Sequence, residues 1–209
     1  MILGEIITVT LLKKIKIQSM TSSLVALLRQ SSILGDSEIQ ELVKYWTKEK
    51  RILRSDFLIQ KGQIEQYLYF VKNGVLRIFL MHEDKEFCVG FAYTDTFICS
   101  FPSFVSNLPS DYYIQALQNV DVIGISRSDF FKLCEQFLNI ERFWRISLEH
   151  ALLGRIQRET EMLTLTPTER FEHFFRRSKH LLQIVPQKHI AAYLGMSPET
   201  LSRLKSKLE

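Results

Sequence analysis

Glu199 and Arg203 stand four residues apart near the C-terminus, a spacing that puts both on one side of a helix. A guanidinium can bond guanine bidentately, and a carboxylate can accept from cytosine N4. The pair therefore suits reading of base edges. The hydroxyls of Ser197 and Thr200 and the ammonium groups of Lys188, Lys205 and Lys207 suit contacts to phosphates. Pro198 and Ser202 belong to the same outward-reaching stretch.

Other chemistry is thin. Of the histidines His82, His150, His173, His180 and His189, only His82 falls in the β-rich part. An enzyme on a cupin-like jelly roll needs two or three histidines and a carboxylate on one metal. No Ser/His/Asp or Cys/His grouping stands out either, so the expectation is no enzyme, no metal and no cofactor. Cys88, Cys99 and Cys134 are widely spaced and odd in number, which argues against a disulfide framework and for a reducing, cytoplasmic setting.

The reading residues need two short helices and a tight turn. Pro186 fits a first helical turn, and Ile190 and Leu194 share a face, with the small Ala191 allowing close approach. Gly195 accepts the left-handed backbone that ends a helix. Ser197 is a good N-cap, and Pro198 restarts a helix at its first position. Leu201, Leu204 and Leu208 give the second helix an apolar stripe. This is how a DNA-reading helix-turn-helix divides its faces; the plainer alternative is a helical hairpin with a solvated charged face. Charge favours the first reading. The chain of 209 residues carries net charge +4. Residues 167–209 hold 8 Lys/Arg against 4 Asp/Glu, so the rest is neutral and the excess sits where phosphates would be met.

Upstream, helices are expected at Ser22–Gln30 and about Ser37–Lys48, the second capped by Asp36 or Ser37 with Ile39, Leu42, Val43 and Trp46 inward. From Arg51 to about Ser126, short apolar runs alternate with turn signals, as in a jelly roll. Tyr67–Val71 and Val75–Phe79 flank Asn73-Gly74, a strong hairpin signal. Further strands are expected at Phe87–Tyr93, Asp111–Leu117 and Asp121–Ile125. Asp129–Leu133 reads as a short helix. Phe137–Leu163 is free of proline and reads as a long helix with an apolar seam that includes Ile140, Trp144, Leu148, Leu152 and Ile156. Such a seam suits pairing with a second copy; the alternative is packing on its own β domain. Thr166-Pro167-Thr168-Glu169 is a capping box opening a helix to about His180, with Phe171, Phe174 and Phe175 inward.

Hydrophobic content of 46% and charged content of 24% are those of an ordinary globular chain. No apolar run is long enough to span a bilayer, so no membrane partner is expected. Residues 1–19 read as an N-terminal extension upstream of a more conventional start at Met20.

This order of parts, and above all Ile190-Ala191-Ala192-Tyr193-Leu194-Gly195-Met196-Ser197-Pro198-Glu199-Thr200-Leu201-Ser202-Arg203, resembles the cyclic-AMP receptor protein/FNR (Crp/Fnr) family of bacterial transcription regulators. Leu163–Phe171 and the helix-turn-helix sequence look most like the subgroup common in Bacteroidetes. The resemblance implies an α+β architecture. A cyclic-nucleotide-binding-like jelly roll would occupy 20–135, a dimerisation helix 136–164 and a helix-turn-helix domain 165–209, without a clear wing after the recognition helix. It implies double-stranded DNA, a second copy and RNA polymerase as partners, with Glu199 and Arg203 as the base readers. Pro198 replaces a common basic residue.

The nucleotide site departs from the family. Ligand-binding members have Gly-Glu for the ribose and Arg-Ser or Arg-Thr for the phosphate. Alignment through Asp95–Ser100 and Pro109–Tyr113 puts Cys99-Ser100 and Ser110-Asp111 there, beside Tyr112. Loss of the arginine removes a bidentate clamp, and Asp111 adds a negative charge. The expectation is a homodimeric regulator unresponsive to cyclic AMP, its effector unidentified; the alternative is a jelly-roll sensor of another small ligand or of a protein partner. Phe91, Tyr93, Phe97, Phe101, Phe104, Tyr112 and Tyr113 would line a different pocket or simply fill the jelly roll.

Overall fold

The computed structural model describes residues 22–207; the expected extension at 1–19 and the apolar position Leu208 lie outside the described residues. Among the described residues two helices come first, α1 (Ser22–Gln30) and α2 (Asp36–Lys44). α1 has the expected bounds. α2 stops short of Lys48, and its N-cap is Gly35 rather than Asp36 or Ser37. The Glu38 carboxylate accepts from the Gly35 N–H at 2.9 Å, which serves the orphan donors of the first turn without a capping hydroxyl. Trp46 is buried, but it enters the core from the turn before β1. Its apolar phase matches the helix although the helix has ended.

Eight strands follow: β1 (Lys48–Ile52), β2 (Phe57–Ile59), β3 (Tyr67–Asn73), β4 (Val75–His82), β5 (Lys85–Tyr93), β6 (Phe97–Ile98), β7 (Tyr113–Ala116) and β8 (Val120–Ser126). Helix α3 (Phe101–Ser106) is inserted between β6 and β7. The strands form two four-stranded sheets, β1-β8-β3-β6 and β2-β7-β4-β5, all antiparallel. Period-two alternation decides which core each side chain joins. Tyr69, Val71, Val120 and Val122 face the interior between the sheets with Leu76, Ile98 and Ile114. Leu68, Phe70, Ile123 and Ile125 point the other way, onto a second core with Leu24, Leu28, Ile39, Leu42 and Phe104.

The hairpin expected at Asn73-Gly74 is not formed. β3 pairs with β6 and β8, β4 pairs with β5 and β7, and the dipeptide is the corner where the chain leaves one sheet for the other. Gly74 has φ +104°, and a Cβ there would meet the Asn119 carbonyl at 2.7 Å, so glycine is needed for the crossing. The tight hairpin is β4–β5, whose two turn residues, Glu83 and Asp84, both have positive φ. That is the hairpin geometry usually signalled by Asn-Gly.

The remaining described residues form helices: α4 (Arg127–Gln136), α5 (Leu138–Thr164), α6 (Pro167–Ser178), α7 (Leu181–Ile184), α8 (Gln187–Leu194) and α9 (Pro198–Lys205). α5 has 27 residues and is about 40 Å long. Its apolar residues are divided along its length. Ile140 is fully buried in the second core, and Trp144 packs edge-on to Phe130 at 4.9 Å. These two expected interface residues belong to the chain's own core. Leu148 is half-buried. Leu152, Ile156 and Leu163 are 59%, 51% and 79% exposed, so an uncovered apolar stripe begins only past the middle of the helix.

α6 opens on the expected capping box: the Glu169 carboxylate accepts from the Thr166 N–H at 2.8 Å, and Thr166 Oγ1 accepts from the Glu169 N–H at 3.4 Å. Phe171 and Phe174 of α6, Ile190, Ala191 and Leu194 of α8, and Leu201 and Leu204 of α9 form a third core. Phe175 lines its edge.

Candidate functional site

The α8–turn–α9 pair is set by its caps. Gly195 adopts φ 65°, ψ 42° as the C-cap of α8. A Cβ there would lie 2.6 Å from Met162 Cε of α5, the movable end of a flexible side chain, so it is the left-handed backbone that favours glycine. Arg170 of α6 donates to the Leu165 and Gly195 carbonyls at 3.0 and 3.3 Å and ties the turn to the start of its helix. Ser197 Oγ accepts from the Thr200 N–H at 3.2 Å and caps α9, with Pro198 following. The Ser197 hydroxyl itself donates to Thr200 Oγ1 at 3.2 Å.

With Leu201 and Leu204 inward, Pro198, Glu199, Ser202, Arg203 and Lys207 are exposed, Thr200 and Lys205 are half-buried, and Lys188 is exposed at the start of α8. The Glu199 carboxyl is held below the usual carboxylate range by its own backbone N–H and by the Ser197 hydroxyl. It is therefore an ionised acceptor at neutral pH, at a helix N-terminus that favours negative charge.

The residues aligned with a nucleotide site come together around the start of α3. Ser100 and Ser110 are both buried, and their hydroxyl oxygens are 2.6 Å apart. Ser110 Oγ also accepts from the Tyr112 N–H at 3.0 Å. Cys99 and Tyr112 are half-buried and Asp111 is exposed. No guanidinium is among these five side chains. Sequence reasoning missed Glu65, a buried carboxylate of this region. Glu65 accepts from the Ser100 and Tyr67 N–H groups, each at 3.2 Å, and burial pushes its carboxyl above the usual range against those bonds. A strand-leading Glu in a polar turn gives no sequence signal of this role.

The aromatic residues divide between the two readings. Phe104 is fully buried, and Phe97 packs on Trp46 and Phe70 at 5.7 and 5.6 Å. Tyr113 stacks on Phe79 at 5.1 Å. Phe91 and Tyr93 instead face the helical unit, against Tyr193 and His180 at 5.5 and 4.9 Å.

That contact belongs to a junction that sequence reasoning also missed. Arg77 of β4 is 6% exposed. It holds the Glu86 carboxylate with two guanidinium nitrogens at 2.5 and 2.9 Å and donates to Gln115 Oε1 at 2.9 Å. Arg77 Nη1 also lies 3.1 Å from His189 Nδ1 of α8. Arginine only donates, so Nδ1 is the acceptor and the imidazole is neutral with its proton on Nε2. Burial, then the neighbouring charges of Arg77 and Lys188, push the His189 pKa down to about 4. The bond from Arg77 holds the Glu86 carboxyl below its usual range.

The thiols of Cys88 and Cys134 are pushed up to about 11 by burial, and all three cysteines are free. Among the described residues no group of three or more His, Cys, Asp or Glu is placed to hold a metal, and no helix is long and apolar enough to cross a membrane.

Comparison with known proteins matches this geometry. The family model of the cyclic nucleotide-binding domain matches residues 49–137. No curated protein matches the sequence. Among solved structures, FixK2 from Bradyrhizobium japonicum is similar at 20% identity and a TM-score of 0.65, over 77% of this chain and 83% of that one. A CooA variant from Carboxydothermus hydrogenoformans is similar at 17% identity and 0.62, over 77% and 75%. CLP from Xanthomonas campestris, described as a c-di-GMP responsive global regulator, is similar at 18% identity and 0.62, over 83% and 91%. Residues 49–137 thus match the cyclic nucleotide-binding domain family model, and the chain shares the fold of these three proteins.

Proposed function

We propose that the chain is a sequence-specific DNA-binding transcription regulator that acts as a homodimer. The observation that carries this reading is α9. Its apolar side is buried by Leu201 and Leu204, while Glu199, Ser202 and Arg203 stay exposed at and just past its capped N-terminus. A recognition helix enters the major groove with those positions against base edges. Lys188, Lys205 and Lys207 supply phosphate contacts. The stripe of Leu152, Ile156 and Leu163 supports pairing through α5, and a two-fold dimer places two recognition helices on successive major grooves.

Arg203→Ala is expected to cost about 1–3 kcal/mol on a specific site and to relax preference at one base pair. Footprints and affinities on single-base variants of the site measure both, and an unchanged base preference removes Arg203 from readout.

The domain does not act as a cyclic AMP receptor in this reading. Its buried Ser100–Ser110 pair supplies no charge to grip a phosphate. Calorimetric titration with cyclic AMP and cyclic GMP is expected to give no saturable heat at micromolar ligand; a micromolar dissociation constant contradicts it.

A further inference from the structure

A cleft of about 280 Å³ opens where β5, α5, α6, α7 and α8 meet, near the lower end of ordinary small-ligand clefts at roughly 300–1,000 Å³. It contains none of residues 97–113, so it is separate from the nucleotide-site region around α3. Arg155, Arg158 and Arg177 line it, with Phe91 and Tyr193 as apolar walls, and none of its lining residues is acidic. Arg177 is neutralised by Glu161 at 2.9 Å. The other two have no carboxylate partner among the described residues. Arg155 donates to the Val89 carbonyl at 3.0 Å. Arg158 donates to the carbonyls of Tyr193 at 2.9 Å and Cys88 at 3.4 Å. Its guanidinium lies over the Tyr193 ring at 4.4 Å, and its Nε is buried with no hydrogen-bond partner.

We propose that this cleft binds a small organic anion, one carboxylate or phosphate group on a flat apolar body. Two guanidinium groups held by carbonyls keep full positive charge and spare donors, and the planar fork suits a carboxylate or phosphate. Aromatic walls beside them suit an apolar body. A neutral ligand would leave the charges uncompensated, and a bare inorganic anion would leave the aromatic walls uncovered. Such a ligand touches β5 and α5 on one side and α6 and α8 on the other. It therefore stabilises the docked arrangement of the helical unit by mass action.

The test uses the full chain and 1-naphthoate as probe, with 1-naphthamide as its neutral counterpart, in isothermal titration and thermal melting without DNA. Its outcome is therefore independent of the regulator reading. Gly154 lines the cleft, and a Cβ added there meets nothing within 4 Å. Gly154→Leu thus starts a side chain in open space at the wall of the cleft and raises helix propensity. Saturable binding of 1-naphthoate at one per chain is expected, with a raised melting midpoint. Arg155→Gln and Gly154→Leu should each weaken it at least tenfold, and 1-naphthamide should bind at least tenfold more weakly. Arg203→Ala should leave binding unchanged. No saturable binding, equal binding of the amide, or undiminished binding to Gly154→Leu would each overturn the assignment.

Discussion

Replacing Leu152 and Ile156 together by glutamate is expected to convert the dimer into a folded monomer and to weaken binding to a specific duplex by at least about 100-fold. Both side chains are more than half exposed in the single chain, so the substitution costs the monomer little. In the pair, each would give up roughly 1.5–3 kcal/mol of apolar burial and place like charges across a two-fold seam, where they repel. Loss of the second recognition helix then removes half of the base and phosphate contacts. Sedimentation velocity reads the first effect and titration of labelled duplex the second. The contrast is Ile140→Ala. Ile140 is fully buried in the chain's own core, so the change should cost about 2–5 kcal/mol of stability while the surviving folded protein still sediments as a dimer.

Acid is expected to loosen the junction between the sheet and the helical unit, by about 2 kcal/mol between pH 7 and pH 5 through His189 alone. The pKa of His189 falls from an ordinary value of 6.5 to about 4 in the folded chain. The undocked form therefore binds more protons between those values. The stabilisation is fully present above pH 6.5 and is lost as pH falls toward 4. Protonation would also turn Nδ1 from an acceptor into a second donor facing Arg77. Glu86, whose carboxyl is lowered chiefly by Arg77 of the same sheet, stabilises the sheet itself, a contribution lost only as pH falls through its depressed folded value. Melting midpoints and amide exchange in α8 across pH 4.5–7.5 measure the effect. His189→Gln can still accept from Arg77 and should flatten the dependence between pH 4.5 and 6.5. A wild-type junction equally stable at pH 5 and pH 7 contradicts the assignment of a neutral His189.

Local chemistry was the legible part of the sequence. Thr166 with Glu169, Gly195, and Ser197 with Pro198 each commit one turn of backbone, so the starts of α6 and α9 and the end of α8 could be read nearly to the residue. Long apolar periodicity revealed α5 but not what covers it. Ile140 and Leu152 both lie on the four-residue recurrence of apolar residues, yet twelve residues of helix leave them about 120° apart around the axis, so one meets the second core and the other meets solvent. Asn73-Gly74 announced a sharp change of direction but not its destination. Whether two strands pair or part at such a corner depends on partners such as β8, some fifty residues downstream. The Arg77–His189 bond joins residues 112 apart in sequence, and neither has a local pattern that names the other. The same holds for Ser100, Ser110 and Glu65, whose meeting requires the whole jelly roll to be folded.

Sequence-specific binding by a dimer is most directly tested by selecting duplexes from a random-sequence pool with the purified full chain, followed by footprinting of the enriched site at graded salt. A two-fold symmetric motif is expected. Its half-sites should lie one helical turn apart, about 10–10.5 base pairs, protected by two chains, with affinity falling steeply as salt rises. A pool that gains no motif, or a motif bound by one chain with no symmetry, would contradict it.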